Sequence, residues 1–200
     1  MEKTFGMVKQ LEKIVYIIAG PNGCGKSTLA NELLQEQDMP FLNADQIAEE
    51  IAGEASVEQV RVTAGKIFFR RLDEYTSEGK SFAVESTLSG KYLVRFIEKL
   101  KRLNYTVNIK YVYIADPEEA ISRIRCRVLS GGHHIPDEDV VRRFGRSIRN
   151  FWYLYKDMAD LWEIWFNGAE TFCCVAVSEN NQISVTNKEL FIRFSRILYG

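Results

Sequence analysis

Residues 14–28 read IVYIIAGPNGCGKST, a continuous apolar run followed at once by a glycine-rich segment that ends in lysine, serine and threonine. An apolar run without polar alternation is typical of a strand buried on both faces of a parallel sheet. The glycine-rich segment matches G-x-x-x-x-G-K-[ST] in full, and helical sequence continues from Lys26 to about Gln37. The stretch therefore predicts a strand, a tight loop and a helix, in that order.

The spacing of this loop suits phosphate binding. Because glycines lack Cβ, consecutive backbone N–H groups can turn inward around a phosphate, next to the positive end of a helix. In this pattern Lys26 reaches the β- and γ-phosphates, and the Ser27 hydroxyl ligates Mg²⁺. We therefore expect ATP, with GTP as the alternative, and Mg²⁺. The residues expected around the nucleotide are Gly20, Pro21, Asn22, Gly23, Cys24, Gly25, Lys26, Ser27 and Thr28.

Strand and helix patterns alternate along the rest of the chain. Helix starts are marked by Ser56 with Gln59 in a capping box, and by Asp116 before Pro117. A third helix starts at Asp137 and is expected to continue along an aromatic stripe. That stripe, interpreted as core, contains Phe144, Ile148, Phe151, Tyr155, Met158, Trp162 and Trp165. Further strands are predicted at 41–43, 81–85, 106–115, 170–177 and 183–185, the last two around an Asn180-Asn181 turn.

This alternation predicts an α/β fold. We expect a three-layer, doubly wound, mostly parallel sheet of the P-loop NTPase/kinase type. No linker or internal repeat interrupts the chain, so residues 1–200 are predicted to form one domain, with a helical lid-like segment around 117–166.

Composition limits the class of partner. Lys and Arg total 26 and Asp and Glu total 27 among 200 residues. Because the numbers of basic and acidic residues nearly balance, the chain has no overall positive electrostatic field that would attract nucleic acid or an anionic membrane. Neither partner is expected. The cysteines lack metal-site spacing, so we expect reduced thiols in a cytoplasmic protein. Cys24 is interpreted as a small space-filling side chain, with a redox switch as the alternative.

Two acidic residues follow predicted strands, at the edge where open α/β sheets bind ligands. Asp45 comes after the second strand, and Glu85 ends the third. A kinase needs a carboxylate beside the acceptor hydroxyl and acids near Mg²⁺. The alternative for Asp45 is that the segment around it simply caps the following helix. A carboxylate at the end of an apolar strand is costly unless it is paired, which favours a functional role for Glu85.

Arginines flank the glycine pair at 131–132. Arg123 and Arg127 are one helical turn apart, and beyond the glycines come Arg142, Arg143 and Arg146. Arginines on both sides of a glycine hinge can clamp the γ-phosphate when a lid closes. The alternative for each of them is a solvated helix surface. We expect one or two to contact phosphate.

Taken together, these motifs resemble the zeta-toxin family of P-loop kinases over most of the chain, from Ile14 to Asn167. They occur in family order and are Gly-Pro-Asn-Gly-x-Gly-Lys-Ser at 20–27, Asn43-Ala44-Asp45, Glu85-Ser86-Thr87, Arg123 with Arg127, Gly131-Gly132-His133 and Arg142-Arg143-Phe144. The loop is common to many NTPases, and the other motifs are specific jointly rather than singly. The Gly-Gly-His version is similar to the compact chromosomal members.

Zeta toxins phosphorylate the 3′-hydroxyl of the sugar in UDP-N-acetylglucosamine with ATP and Mg²⁺, so the resemblance implies that activity, with a protein antitoxin as a partner. It implies that Asp45 is the catalytic base, and that Glu85 and Thr87 lie at the nucleotide-sugar or magnesium site. The residues expected to act in catalysis are Asp45, Lys26, Arg127 and Arg143. The residues expected to bind the substrate are Asp45, Glu85, Thr87 and Arg123. The residues expected to bind the metal are Ser27 and Glu85. The alternative function is a regulatory NTPase whose nucleotide state controls a protein partner.

Overall fold

Strands and helices alternate in the computed structural model, which describes residues 12–53, 56–132, 134–179 and 182–199. In chain order the elements are β1 (Ile14–Ala19), α1 (Lys26–Glu36), β2 (Phe41–Leu42), α2 (Ala44–Glu50), α3 (Val57–Ser77), β3 (Phe82–Ser86), α4 (Tyr92–Arg102), β4 (Thr106–Tyr113), α5 (Pro117–Leu129), α6 (Asp137–Asn150), a π-helical turn (Phe151–Tyr155), a 3₁₀ turn (Lys156–Met158), β5 (Leu161–Asn167), β6 (Phe172–Glu179), β7 (Gln182–Val185) and α7 (Lys188–Tyr199). The predicted Asn180-Asn181 turn and His133 lie outside the described residues.

The strands in the described ranges form one seven-stranded sheet in the order β2-β3-β1-β4-β5-β6-β7. Strands β1 to β5 pair in parallel, and β6 and β7 add to the edge in antiparallel orientation. Strand β1 lies between β3 and β4, which explains its continuous apolar sequence, since Ile17 and Ile18 on opposite faces are both fully buried. The predicted mostly parallel α/β sheet of the P-loop kinase type is confirmed.

Two helix starts follow the predicted local signals. At α3 the Ser56 hydroxyl accepts a hydrogen bond from the Gln59 backbone N–H at 3.4 Å, and the Gln59 side chain accepts one from the Ser56 N–H at 3.2 Å. At α5 the Asp116 carboxylate accepts from the Glu119 N–H at 2.8 Å, with Pro117 at the first helical position. Both predicted caps are confirmed.

The prediction of one long helix from 137 to beyond 160 is wrong. Helix α6 ends at Asn150, the two short turns follow, and the chain then forms β5, which pairs in parallel with β4. The helical part of the segment predicted at 117–166 therefore ends at Met158. Trp162 and Trp165 lie on opposite faces of a strand rather than on one helical stripe, because side chains alternate along a strand.

The aromatic residues of the predicted stripe that precede β5, Phe144, Phe151 and Tyr155, belong to the core, as the sequence predicts. Phe151 is fully buried and stacks on Tyr111 of β4 with ring centres 4.2 Å apart. Phe194 of α7 packs edge-on against Tyr113 at 5.2 Å. These contacts hold the π-helical turn and α7 on one face of the sheet. Within the described ranges, none of the helices combines the length and the apolar character that crossing a bilayer requires.

Candidate active site

The glycine-rich loop joins β1 to α1 at the carboxyl edge of the sheet. Gly25 is the N-cap of α1 with φ of +92°, a left-handed conformation that favours glycine. At Gly20 a Cβ atom would lie 2.1 Å from the carbonyl oxygen of Val112, so this position excludes any larger residue. The loop borders a cleft of about 240 Å³, which we name the phosphate cleft. Its lining consists of Asn22, Gly23, Gly25, Lys26, Ser27, Thr28, Asp45, Glu85, Arg123, Ile124 and Arg127.

Lys26 and Glu85 form a buried ion pair in the phosphate cleft. Their side chains are 7% and 10% exposed, and Nζ of Lys26 lies 3.6 Å from Oε1 of Glu85. The same ammonium donates a hydrogen bond to the carbonyl oxygen of Pro21 at 3.0 Å. Burial alone lowers the pKa of Lys26, but the neighbouring groups Cys24, Glu85 and Asp45, in that order, raise it above its ordinary value. Lys26 therefore carries its positive charge at neutral pH.

Glu85 also connects the loop to Asn43, which directly follows β2. Its Oε2 atom accepts hydrogen bonds from the Ser27 hydroxyl at 3.1 Å and from the Asn43 amide at 3.0 Å. Asn43 in turn caps α2, because its Oδ1 accepts from the Asp45 backbone N–H at 2.8 Å. The cap of α2 is thus Asn43, and the Asp45 side chain is exposed at the second position of the helix.

A second cavity of about 280 Å³ lies beside the phosphate cleft, between α2, α3 and the start of α6. We name it the neighbouring cavity. Its lining is partly apolar and contains charged side chains of both signs; it consists of Asn22, Asp45, Ala48, Glu49, Ala52, Gly53, Val60, Arg61, His134, Ile135, Pro136, Asp139 and Arg143. Asp45 and Asn22 line both spaces. The two candidate binding sites therefore share a wall that carries a carboxylate.

Three of the five predicted arginines divide between the two spaces, and neither lining contains Arg142 or Arg146, both of which are described residues. Arg123 and Arg127 line the phosphate cleft, whereas Arg143 lines the neighbouring cavity and donates to Asp139 at 3.1 Å. Arg123 donates to Glu119 at 2.5 Å and to the backbone carbonyl of Asn167 at 2.9 Å. The arginines on the two sides of the glycine pair thus do not converge on one point in this conformation.

Thr87 stands apart from the other predicted site residues, since neither lining contains it in the described part of the chain. Its hydroxyl shares a hydrogen bond with that of Ser89 at 2.9 Å, in the loop after β3. Side chains of α6 hold this loop, and Tyr155 of the π-helical turn donates to the Gly90 carbonyl at 2.8 Å. Ser147 donates to the Thr87 carbonyl at 2.5 Å and Asn150 to the Leu88 carbonyl at 2.7 Å.

The residues around Ser27 fit a magnesium ion. Mg²⁺ in nucleotide sites takes few protein ligands, all of them oxygen, and completes its shell with phosphates and water. The Ser27 hydroxyl and the Glu85 carboxylate supply two oxygens 3.1 Å apart at the edge of the phosphate cleft. This donor set suits Mg²⁺ rather than a softer metal.

Cys24 is fully buried behind the loop, which agrees with a space-filling role. Burial raises the pKa of its thiol to about 11, so the unreactive neutral form dominates. At pH 8 the thiolate is about one part in a thousand.

We predict that iodoacetamide at pH 8 alkylates the exposed Cys126 and leaves Cys24 unmodified in the folded protein. Peptide mapping by mass spectrometry measures both, and equal modification of the two thiols would restore the redox-switch alternative. All four cysteines are described, and all are free thiols.

Asn167 contacts the site but was not predicted from the sequence, nor were Arg61, Glu49 and Asp139 of the neighbouring cavity. Asn167, the last residue of β5, donates from its amide to the carbonyl oxygen of Cys24 in the loop at 2.9 Å. Asn167 was not predicted because the sequence pattern before it favours a helix. The alternation of Trp162, Ile164 and Phe166 was the available signal for a strand whose end would reach the same sheet edge.

Comparisons with known proteins agree with this geometry. A family profile described as AAA domain matches residues 15–150. A Haemophilus influenzae protein without an assigned function is 31% identical over 141 residues, which cover 68% of this chain and 95% of that protein. A shikimate kinase from Rhodococcus jostii is 38% identical over 58 residues, 29% of this chain and 34% of the kinase.

Solved structures share the fold at low identity. A structure of the AvrRxo1-ORF1:-ORF2 complex with ATP superposes with a TM-score of 0.76 at 18% identity, covering 94% of this chain and 64% of the other. This chain therefore spans slightly less than two thirds of that protein. A chain of the PezAT chromosomal toxin–antitoxin system of Streptococcus pneumoniae gives a TM-score of 0.66 at 19% identity, covering 98% and 82%.

The fold expected from the resemblance to zeta toxins is thus confirmed by structures that include a toxin–antitoxin protein. The family match extends from β1 and the phosphate-binding loop to the end of α6. The chain belongs to the AAA domain family and has a P-loop kinase fold.

Proposed function

We propose that this chain is a kinase that transfers the γ-phosphate of ATP to a hydroxyl group of a small molecule, a nucleotide sugar such as UDP-N-acetylglucosamine. One observation carries the proposal: Asp45 lines both the phosphate cleft and the neighbouring cavity. A carboxylate between a nucleotide site and a second ligand site can take the proton of a hydroxyl bound in the second site. A nucleotide switch that only hydrolyses ATP does not need such a second cavity.

In the proposed reaction, the acceptor oxygen bonds to the γ-phosphorus while the bond from that phosphorus to the β–γ bridging oxygen breaks, and ADP leaves. Asp45 accepts the hydroxyl proton. Lys26 and the loop amides hold the β- and γ-phosphates, and Arg127, which lines the same cleft, offsets charge on the transferred group. Ser27, with Glu85 behind it, would hold Mg²⁺, which neutralises phosphate charge when bound.

The neighbouring cavity can bind an acceptor that carries both anionic and hydrogen-bonding groups. Arg61 and Arg143 bring positive charge to its lining, which also contains the carboxylates of Asp45, Glu49 and Asp139. The Oδ1 atom of Asn22 is buried and has no hydrogen-bond partner among the described residues. An unpaired buried amide oxygen costs roughly 1–3 kcal/mol, and a ligand hydroxyl or N–H group would satisfy it. A diphosphate-linked sugar offers both kinds of group.

Two of the similar solved structures support the phosphate donor and the protein partner that we propose. The AvrRxo1 complex was solved with ATP, which supports ATP as the phosphate donor. The PezAT protein belongs to a toxin–antitoxin system, which supports an antitoxin protein as a partner of this chain. The free thiols support a cytoplasmic location.

Incubation with Mg²⁺–ATP and a panel of UDP-sugars, read by phosphorus NMR and mass spectrometry, tests the proposal. We expect a phosphorylated UDP-sugar and stoichiometric ADP. ADP and inorganic phosphate as the only products with every acceptor would overturn the kinase proposal and favour the regulatory NTPase.

A further inference from the structure

A residue of β5 contacts the phosphate-binding loop, although β5 is not adjacent to β1, the strand that leads into the loop. Strand β4 separates β1, which leads into the loop, from β5, which ends in Asn167. The Asn167 side chain reaches across this gap, and its Nδ2 donates to the Cys24 carbonyl at 2.9 Å. The contact joins residues 143 positions apart in the sequence.

A phosphate-binding loop needs such a donor. When backbone N–H groups turn inward toward a phosphate, carbonyl groups must turn outward, and a shielded carbonyl requires a hydrogen-bond partner. Gly25, the residue after Cys24, has φ of +92°, and a Cβ there would lie 2.2 Å from Nδ2 of Asn167. The absence of a side chain at Gly25 thus lets the asparagine amide lie directly against the loop.

The same residue also positions one wall of the phosphate cleft. The backbone carbonyl of Asn167 accepts from the Arg123 guanidinium at 2.9 Å, and the same guanidinium nitrogen donates to Glu119 at 2.5 Å. Arg123 is about one quarter exposed and lines the cleft. The end of β5 therefore contacts both the loop and the arginine side of the nucleotide site.

We propose that Asn167 is a positioning residue for the nucleotide, which keeps the loop in its phosphate-binding conformation through the Cys24 carbonyl. This inference rests on the nucleotide-binding part of the proposed function. Without the amide, the outward-turned Cys24 carbonyl loses its hydrogen-bond donor. Part of the free energy gained by binding phosphates must then hold the loop in its binding conformation, so the affinity falls. The side chain acts through the loop and does not itself touch the reacting atoms.

The test is the affinity of the full chain for a non-hydrolysable ATP analogue with Mg²⁺, measured by isothermal titration calorimetry. We expect Asn167→Ala and the similarly shaped Asn167→Leu to raise Kd by about tenfold, the effect of one lost hydrogen bond to a shielded carbonyl. Two variants keep the test valid if one of them fails to fold. Asn150→Ala is the matched control, because it removes the same kind of bond, amide to the Leu88 carbonyl at 2.7 Å, from a different loop. It should lower the melting temperature without changing Kd.

An unchanged Kd in both Asn167 variants, or an equal rise in Asn150→Ala, would overturn the inference. The proposed function fails separately. If wild type binds the analogue, the Asn167 variants bind it more weakly and no sugar is phosphorylated, the positioning role stands and the kinase proposal falls. If wild type does not bind the analogue, both are overturned.

Discussion

Lys26→Met is expected to abolish the thermal stabilisation that Mg²⁺–ATP gives the wild-type protein, and to lower phosphoryl transfer by about 10²–10³-fold. The Lys26 ammonium is buried, charged and aimed into the phosphate cleft, where Glu85 and the Pro21 carbonyl hold it. Methionine keeps much of the volume but removes the charge that meets the β- and γ-phosphates. Glu85 would keep its two hydrogen bonds to Ser27 and Asn43, so folding should survive the change.

Lys110→Met is the control for this prediction. Lys110 pairs with Glu163 at 2.7 Å, with side chains 15% and 17% exposed, so it is also a shielded lysine–glutamate pair. It lies on β4, and neither cavity lining contains it within the described residues. Thermal shift with and without Mg²⁺–ATP compares the two variants. A full nucleotide shift in Lys26→Met, or its loss in both variants, would contradict the assigned role of Lys26.

Asp45→Asn is expected to keep nucleotide binding and to lower transfer to the sugar by about 10²–10⁴-fold, the contribution of a general base. Asparagine preserves the shape of the side chain at the wall shared by the two cavities but cannot accept a proton. The cap of α2 is Asn43, so the helix does not depend on the Asp45 carboxylate.

Transfer rates at saturating ATP measure this effect, and calorimetry checks that the affinity for the ATP analogue is unchanged. Glu50→Gln neutralises another carboxylate on α2, one that pairs with Arg71 at 3.4 Å and is 57% exposed. It should retain wild-type transfer. Unchanged turnover in Asp45→Asn would remove Asp45 from the mechanism.

The part of the site that could be predicted from sequence is the part encoded locally. The loop motif specifies its own conformation through glycines, and its spacing alone was sufficient to place Lys26 and Ser27 at the cleft. Glu85 was predicted because a carboxylate on a buried strand needs a partner, and the structure provides three of them in Lys26, Ser27 and Asn43. Strands β1 and β3 pair in parallel, so their carboxyl ends bring the loop and Glu85 to the same edge of the sheet.

The errors have a common physical cause, the start of β5. Aromatic residues at spacings of three and four fit a helix, and a π-helical turn after α6 extends that pattern before the chain becomes a strand. Trp165 therefore faces Lys110 on the side of the sheet away from Trp162. Asn167 could not be placed at the loop until β5 was known, since their contact depends on long-range strand order rather than on local sequence.

The most direct test of the central claim is calorimetric titration of the wild-type chain with a non-hydrolysable ATP analogue, with and without Mg²⁺. The described geometry predicts saturable, magnesium-dependent binding, and a stabilisation of about 2.7 kcal/mol when the ligand is present at a hundred times Kd. Absence of binding to the analogue under both conditions would contradict the claim that the loop, Lys26 and Glu85 form a nucleotide site.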